Sequence, residues 1–186
     1  MTHVLPGTPA PAELDVPEGA VLDGADLAQL IPALREADSA QALFDAVAVV
    51  AQARIGHRLF TIMSFDAARF EVERLYTSMP EHYPVGGRKK KARTDWGAHT
   101  LASGRVFRAN DSSGIRTHFD DHGTLLGLGL DAILNIPVMY EGRCLGTMNM
   151  MHASGHYTAA HEALGLQLGA FLTAPLLEYA LRRPAH

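Results

Sequence analysis

The chain has one cysteine, Cys144, among 186 residues. A lone thiol cannot close an internal disulfide, so burial and hydrogen bonding must hold the fold, and no oxidising compartment is required. Tryptophan is as scarce, with Trp96 alone. No apolar run approaches the roughly 18 residues of a membrane span. The first twenty residues lack the basic-then-apolar order of a secretory leader. A cytoplasmic chain with no membrane partner is expected. Charge of neither sign dominates, with 16 Lys and Arg against 20 Asp and Glu. Without a basic field there is no reason to expect nucleic acid as a partner. HExxH, GxSxG and Walker-type phosphate loops are all missing, which removes the motif-bearing zinc proteases, serine hydrolases and P-loop nucleotidases.

What is present suits one domain with a real core: 47% of residues are hydrophobic and 19% charged. Residues 1–22 are rich in Pro, Ala and Glu without periodic apolar positions, and read as a flexible tail before a domain over 23–186 with its core at 38–182.

Leu27, Leu30, Ile31 and Leu34 are spaced for a short helix. Asp38 or Ser39 can cap a stronger one whose stripe runs from Leu43 to Ile55, ending at Gly56. The pattern then changes. Leu59 to Phe65 and Phe70 to Met79 are rich in β-branched and aromatic residues and predict a hairpin. Residues 80–93 read as a loop, Thr94 to Gly104 as a short capped helix, Val106 to Ala109 as a strand and Ile115 to Leu126 as a helix. Ile133 to Tyr140 and Arg143 to Met151 flank a two-residue Glu141-Gly142 loop. Counting outward from that loop pairs Asn135 with Met148 and places both on the less aliphatic face, with Met150. A last helix runs from Thr158 to about Leu181, kinked near Pro175, with Leu166, Ala170, Leu177 and Leu181 as a second apolar stripe. Sequential hairpins between terminal helices predict an α+β fold: an antiparallel sheet of five or six strands, with helices on one face.

The second hairpin carries a family resemblance. Leu134-Asn135-Ile136-Pro137-Val138, then Glu141-Gly142-Arg143, then Leu145-Gly146-Thr147-Met148-Asn149-Met150 resemble the apolar strand with proline, glycine turn and LGxxN strand of GAF domains. The resemblance covers about residues 38–182. It implies a small-molecule pocket roofed by residues 80–126, and dimerisation through the terminal helices. GAF domains bind cyclic nucleotides, haem, bilins, 2-oxoglutarate or nothing known, so the resemblance names no cofactor.

Four aromatics, Tyr83, Trp96, Phe107 and Phe119, fall in the middle segment, where they serve either as a minor core or as pocket walls. The basic run 88–93 is a solvated loop or an anion attractor, with Arg88 as its inward-pointing member. His118 and His122 stand four apart, the spacing of helix-borne metal ligands, but no third ligand is in phase and no metal is expected. Asp121 and His122 are candidates to hydrogen-bond a ligand. Asn135, in an apolar strand beside Met148, is the better floor candidate, ahead of Asn149. The nine expected ligand-binding residues are thus Tyr83, Arg88, Trp96, Phe107, Phe119, Asp121, His122, Asn135 and Met148, around a small, anionic molecule. The alternatives are an enzyme similar to the free methionine sulfoxide reductases, which need more than one cysteine, and a structural dimer without ligand. No catalysis is expected.

Overall fold

The computed structural model describes residues 16–36, 38–92 and 94–182. Strands β1 (Leu59–Asp66) and β2 (Glu71–Thr77) form the first hairpin, β5 (Ala132–Tyr140) and β6 (Arg143–His152) the second. Short strands β3 (Arg88–Lys90) and β4 (Phe107–Ala109) complete one six-stranded sheet in the order β3-β2-β1-β6-β5-β4, every neighbouring pair antiparallel. Helices α1 (Gly24–Glu36), α2 (Ala40–Arg54), α5 (Ala159–Phe171) and α6 (Thr173–Arg182) cover one face. The other face is roofed by a turn of π-helix (Gly97–Ala102), α3 (Ser112–His118) and α4 (His122–Gly127). The α+β architecture is the one the alternating and helical periodicities predict.

The second hairpin turns as its sequence requires. Glu141 has φ 49° and Gly142 φ 73°, both left-handed, as a two-residue primed turn demands. Tyr140 faces Arg143, but the ladder then slips: Met139 pairs with Cys144, whereas Val138 pairs with Gly146. Leu145 is the extra residue of a β-bulge. Beyond it every partner moves by one, so Asn135 faces Asn149 and Ile136 faces Met148. A one-residue slip exchanges the faces. Met148 and Met150 therefore sit on the helix face, fully buried with Phe60, Ile62, Leu134 and Ile136, and not on the pocket face assigned to them by counting. Burying such a side chain stabilises by about 1.5–3 kcal/mol, so this set holds the register against any further slip.

Helix α5 lies close to the sheet because it carries Gly165 and Gly169. A Cβ on Gly165 would stand 2.7 Å from the side chain of Ile136, which is itself fully buried. Gly165→Ala is therefore expected to destabilise by about 1–3 kcal/mol through overpacking, outweighing the roughly 1 kcal/mol that alanine gains in helix propensity. Urea unfolding reads the sign, and a stabilised variant would refute the packing argument.

The C-terminal helices meet at a 50° bend. Pro175 has no N–H to donate to Phe171, so α5 ends there and α6 restarts with Leu176 N donating to Leu172 O. No single helix among the described residues is long and apolar enough to cross a membrane. Residues 1–15 of the expected tail lie outside the described residues. Its end is not loose: Ala20 is buried, Gln167 Nε2 donates to Ala20 O, and Leu22 N donates to Gln167 Oε1. Arg54 closes the same corner, pairing with Asp23 and Asp26 at 2.6 and 2.9 Å.

Candidate functional site

A polar chain crosses the roofed face of the sheet. Trp96 Nε1 donates to Asn135 Oδ1 at 2.8 Å, Asn135 Nδ2 to Asn149 Oδ1 at 2.7 Å, and Asn149 Nδ2 to Thr61 Oγ1 at 3.2 Å. The three strand residues are neighbours in register across β5, β6 and β1. The indole N–H can only donate, so it fixes which way both amides point. The chain consequently ends on a Thr61 hydroxyl that accepts from Asn149 and keeps its own hydrogen to give.

Above this chain lies a cavity of about 80 Å³. Leu59, Met63, Val72, Leu125, Ile133 and Met151 make most of its wall apolar, and Trp96 and Phe119 stand 6.4 Å apart over it. Three cations and one carboxylate also line it: Arg74, Lys89, Lys91 and Asp121. Lys89 Nζ pairs with Asp121 at 3.0 Å, and Lys91 Nζ rides over the Trp96 ring at 5.3 Å. Burial, reinforced by Lys89, pulls the Lys91 ammonium down from the ordinary lysine range. Arg74 lies 5.2 Å over the Tyr83 ring, and its Nη1 donates to Pro84 O at 3.0 Å. Burial, with help from Asp121, pushes the Tyr83 phenol up to about 12, so it is neutral.

Five of the nine expected residues line this cavity: Tyr83, Trp96, Phe119, Asp121 and Asn135. Arg88 does not. Residues 88–90 form a strand, not the expected loop, so Arg88 points away to pair with Glu73 at 2.9 Å while Lys89 and Lys91 point in. Arg93 lies outside the described residues. Phe107 packs between the two roof clusters, outside the cavity. His122 spends Nδ1 on Phe119 O, and Met148 is in the helix-side core. The expected helix over 115–126 breaks at Phe119, so His118 and His122 fall on separate helices. Among the described residues no group of three His, Cys, Asp or Glu is placed to hold a metal. Arg74 and Thr61 are absent from the expected set, and Lys89 and Lys91 enter it only as members of the basic run 88–93. Strand alternation through 88–91 would have flagged the two lysines.

Cys144 is held as a thiol. Its Sγ leans on Gly146 O, and burial pushes the thiol up to about 11.

A second cluster lies at the far end of β6. The His152 and His156 rings stack at 3.7 Å, His161 stacks on His156 at 5.4 Å, and His156 Nε2 meets Ile55 O at 2.7 Å. Burial, then neighbouring charge on His156, lowers both His152 and His161 below the ordinary imidazole value, and burial lowers His57. The unfolded chain therefore binds these protons first as pH falls. Stability from these rings is complete above about pH 6.5 and is lost as pH drops toward the folded values. The melting temperature should fall between pH 7.5 and 5.5, and His152→Gln should flatten that dependence. An unchanged slope in the variant would remove His152 from the account.

Comparisons with known proteins agree with this fold. No curated protein matches the chain in sequence. Among solved structures, the fold is similar to the GAF domain of a phosphoenolpyruvate-protein phosphotransferase from Coxiella burnetii, with TM-score 0.69, 17% identity, and coverage of 85% of this chain and 94% of that one. The corresponding Acinetobacter domain gives TM-score 0.68 and 15% identity, covering 84% of this chain and 94% of that one. The chromophore-binding domain of a Stigmatella aurantiaca bacteriophytochrome gives TM-score 0.61 and 16% identity, over 82% of this chain and 59% of that one. The sequence itself matches the profile described as GAF domain over residues 26–176, so the chain belongs to the GAF domain family.

Proposed function

We propose that this GAF domain is a cytosolic, non-catalytic regulatory module that binds a small molecule in the cavity between Trp96 and the Asn135–Asn149 floor, and acts as a homodimer through its terminal helices. The observation that carries the reading is the cavity itself, an apolar pocket with a directed polar chain along its floor and cations in its lining. A ligand there touches sheet and roof at once, so its binding energy bears on the packing of the π-turn, α3 and α4. The bacteriophytochrome domain named above holds its chromophore on a similar fold. A nucleophilic role for Cys144 is opposed by its high thiol pKa.

The dimer rests on apolar side chains left in solvent on the helical layer: Leu181 is 77% exposed, and Ile31 and Leu34 are exposed on α1. Leu177, by contrast, packs against the core, so Leu181 is the better probe. Native mass spectrometry of freshly purified protein is expected to show a dimer carrying a retained small molecule. Leu181→Glu should shift the dimer to monomer by light scattering. A monomeric wild type refutes the dimer. A ligand-free protein whose Trp96 emission answers to no small molecule refutes the binding role.

A further inference from the structure

The cavity holds two buried polar groups without partners. Arg74 is 7% exposed and Tyr83 8%, and both line the cavity. Arg74 gives Nη1 to Pro84 O, but its Nε–H meets no acceptor, and neither does the Tyr83 hydroxyl. Neither Arg74 nor Lys91 has an ion-pair partner among the described residues, whereas Lys89 spends its charge on Asp121. Unpaired polar groups at such depth cost about 1–3 kcal/mol each, so an acceptor that reached the Arg74 and Tyr83 donors would be favoured.

The occupant's chemistry follows from what is offered. The guanidinium offers donors only, the neutral phenol offers its proton, and the floor chain ends on the free hydrogen of Thr61. These donors call for an acceptor-rich partner, and with Arg74, Lys89 and Lys91 against Asp121 the surplus charge of the lining is positive. The rest of the wall is aliphatic or thioether, from Leu59, Val72, Leu125, Ile133, Met63 and Met151. An inorganic oxyanion would leave that wall facing nothing. Size favours a short chain: the space is about 80 Å³, smaller than the roughly 150 Å³ cavity that accepts benzene. We propose, building on the cavity-binding reading above, that the ligand is a short-chain monocarboxylate, its carboxylate held by Arg74 and Tyr83 and its alkyl body against Leu59, Leu125 and Ile133.

Gly87 belongs to this device. A Cβ there would stand 2.9 Å from Arg74 Nη1, so the glycine lets the guanidinium lie against the β2–β3 turn.

The test is titration of the full chain at pH 7.5 with sodium n-butyrate, followed by Trp96 emission and calorimetry. Three other probes run beside it: n-butyramide as the neutral isostere, nitrate as the bare oxyanion and octanoate as the overlong acid. Saturable butyrate binding is expected, with butyramide weaker by about tenfold to a hundredfold, the weight of charge-assisted hydrogen bonds. Nitrate and octanoate should bind more weakly still. Arg74→Gln should lose butyrate by a similar factor with its circular dichroism unchanged. Arg74→Lys should lose most of it, because a lysine cannot reproduce the fork. If Arg74→Gln does not fold, Gly87→Ala keeps the charge but unseats the guanidinium, and should weaken butyrate in the same direction. Butyramide binding as tightly as butyrate, or folded Arg74 and Gly87 variants binding like wild type, overturns the carboxylate while leaving cavity binding intact. Nitrate binding as tightly as butyrate likewise overturns it in favour of an inorganic anion. No saturable response to any probe, together with no retained ligand in native mass spectrometry, overturns both readings.

Discussion

Gly146→Val is expected to abolish cooperative folding, or to leave a chain that melts far below the wild type. Gly146 sits in β6 opposite Ser64 of β1 and Val138 of β5, at the centre of the sheet. A Cβ there would lie inside the van der Waals shell of Met63 O and 3.1 Å from Leu176 Cδ1. Met63 cannot retreat, since its strand is held by β2 on one side and β6 on the other. Leu176, fully buried at the start of α6, cannot retreat either. The collision is with backbone, so rotamer changes do not relieve it. A cost of about 3 kcal/mol or more follows, against a total stability of about 5–15 kcal/mol for a domain. Urea unfolding followed by circular dichroism measures it, and a variant matching wild type would show that β1 and β6 separate more readily than this packing implies.

Replacing Asn135 by leucine should come next in size. The substitution fits the apolar character of β5, and by hydrophobicity alone it looks harmless. It orphans two buried groups, the Trp96 indole N–H and Asn149 Oδ1. At about 1–3 kcal/mol for each unsatisfied group, the loss is roughly 2–6 kcal/mol. Trp96 should also lose its fixed seat, so its emission should broaden and shift to the red. The double variant Asn135→Leu, Asn149→Leu should cost less than the sum of the two single changes, because the second removes a group the first had already orphaned. Additive costs would mean that the two amides do not act as one chain.

Much of the scaffold is legible in local sequence. Glu141-Gly142 between two alternating runs specifies a hairpin because only a few residue pairs accept a primed turn. The Leu43–Ile55 stripe specifies a helix, and Pro175 specifies a bend, since each rests on geometry within a few residues. Trp96, Asn135, Tyr83 and Phe119 were legible as cavity-lining residues because polar groups in an apolar strand and aromatics in a loop need a destination, and Asp121 by its closeness in sequence to Phe119. Arg74 was not. A charged residue in an edge hairpin reads as solvent-facing, and only the pairing of Met63 with Arg74 after a register shift turns it inward.

Two small displacements separate what local order settles from what the fold settles. The alternation of β5 and β6 determines that one set of side chains will be buried together, but not which set faces the roof. One extra residue at Leu145 decides that, because a strand's period is two and a bulge shifts the count by one. In the basic run, composition determines a cluster of positive charge, while the pairing of Glu71, Val72 and Glu73 with residues 88–90 decides that Arg88 leaves the cavity and Lys89 enters it. Both decisions belong to partners distant in the chain, whose contacts leave no periodic trace in either segment alone. Thus the sequence by itself determined the α+β scaffold, the turn and the aromatic roof, and only the tertiary pairing placed Arg74, the two lysines and the asparagine chain around one cavity.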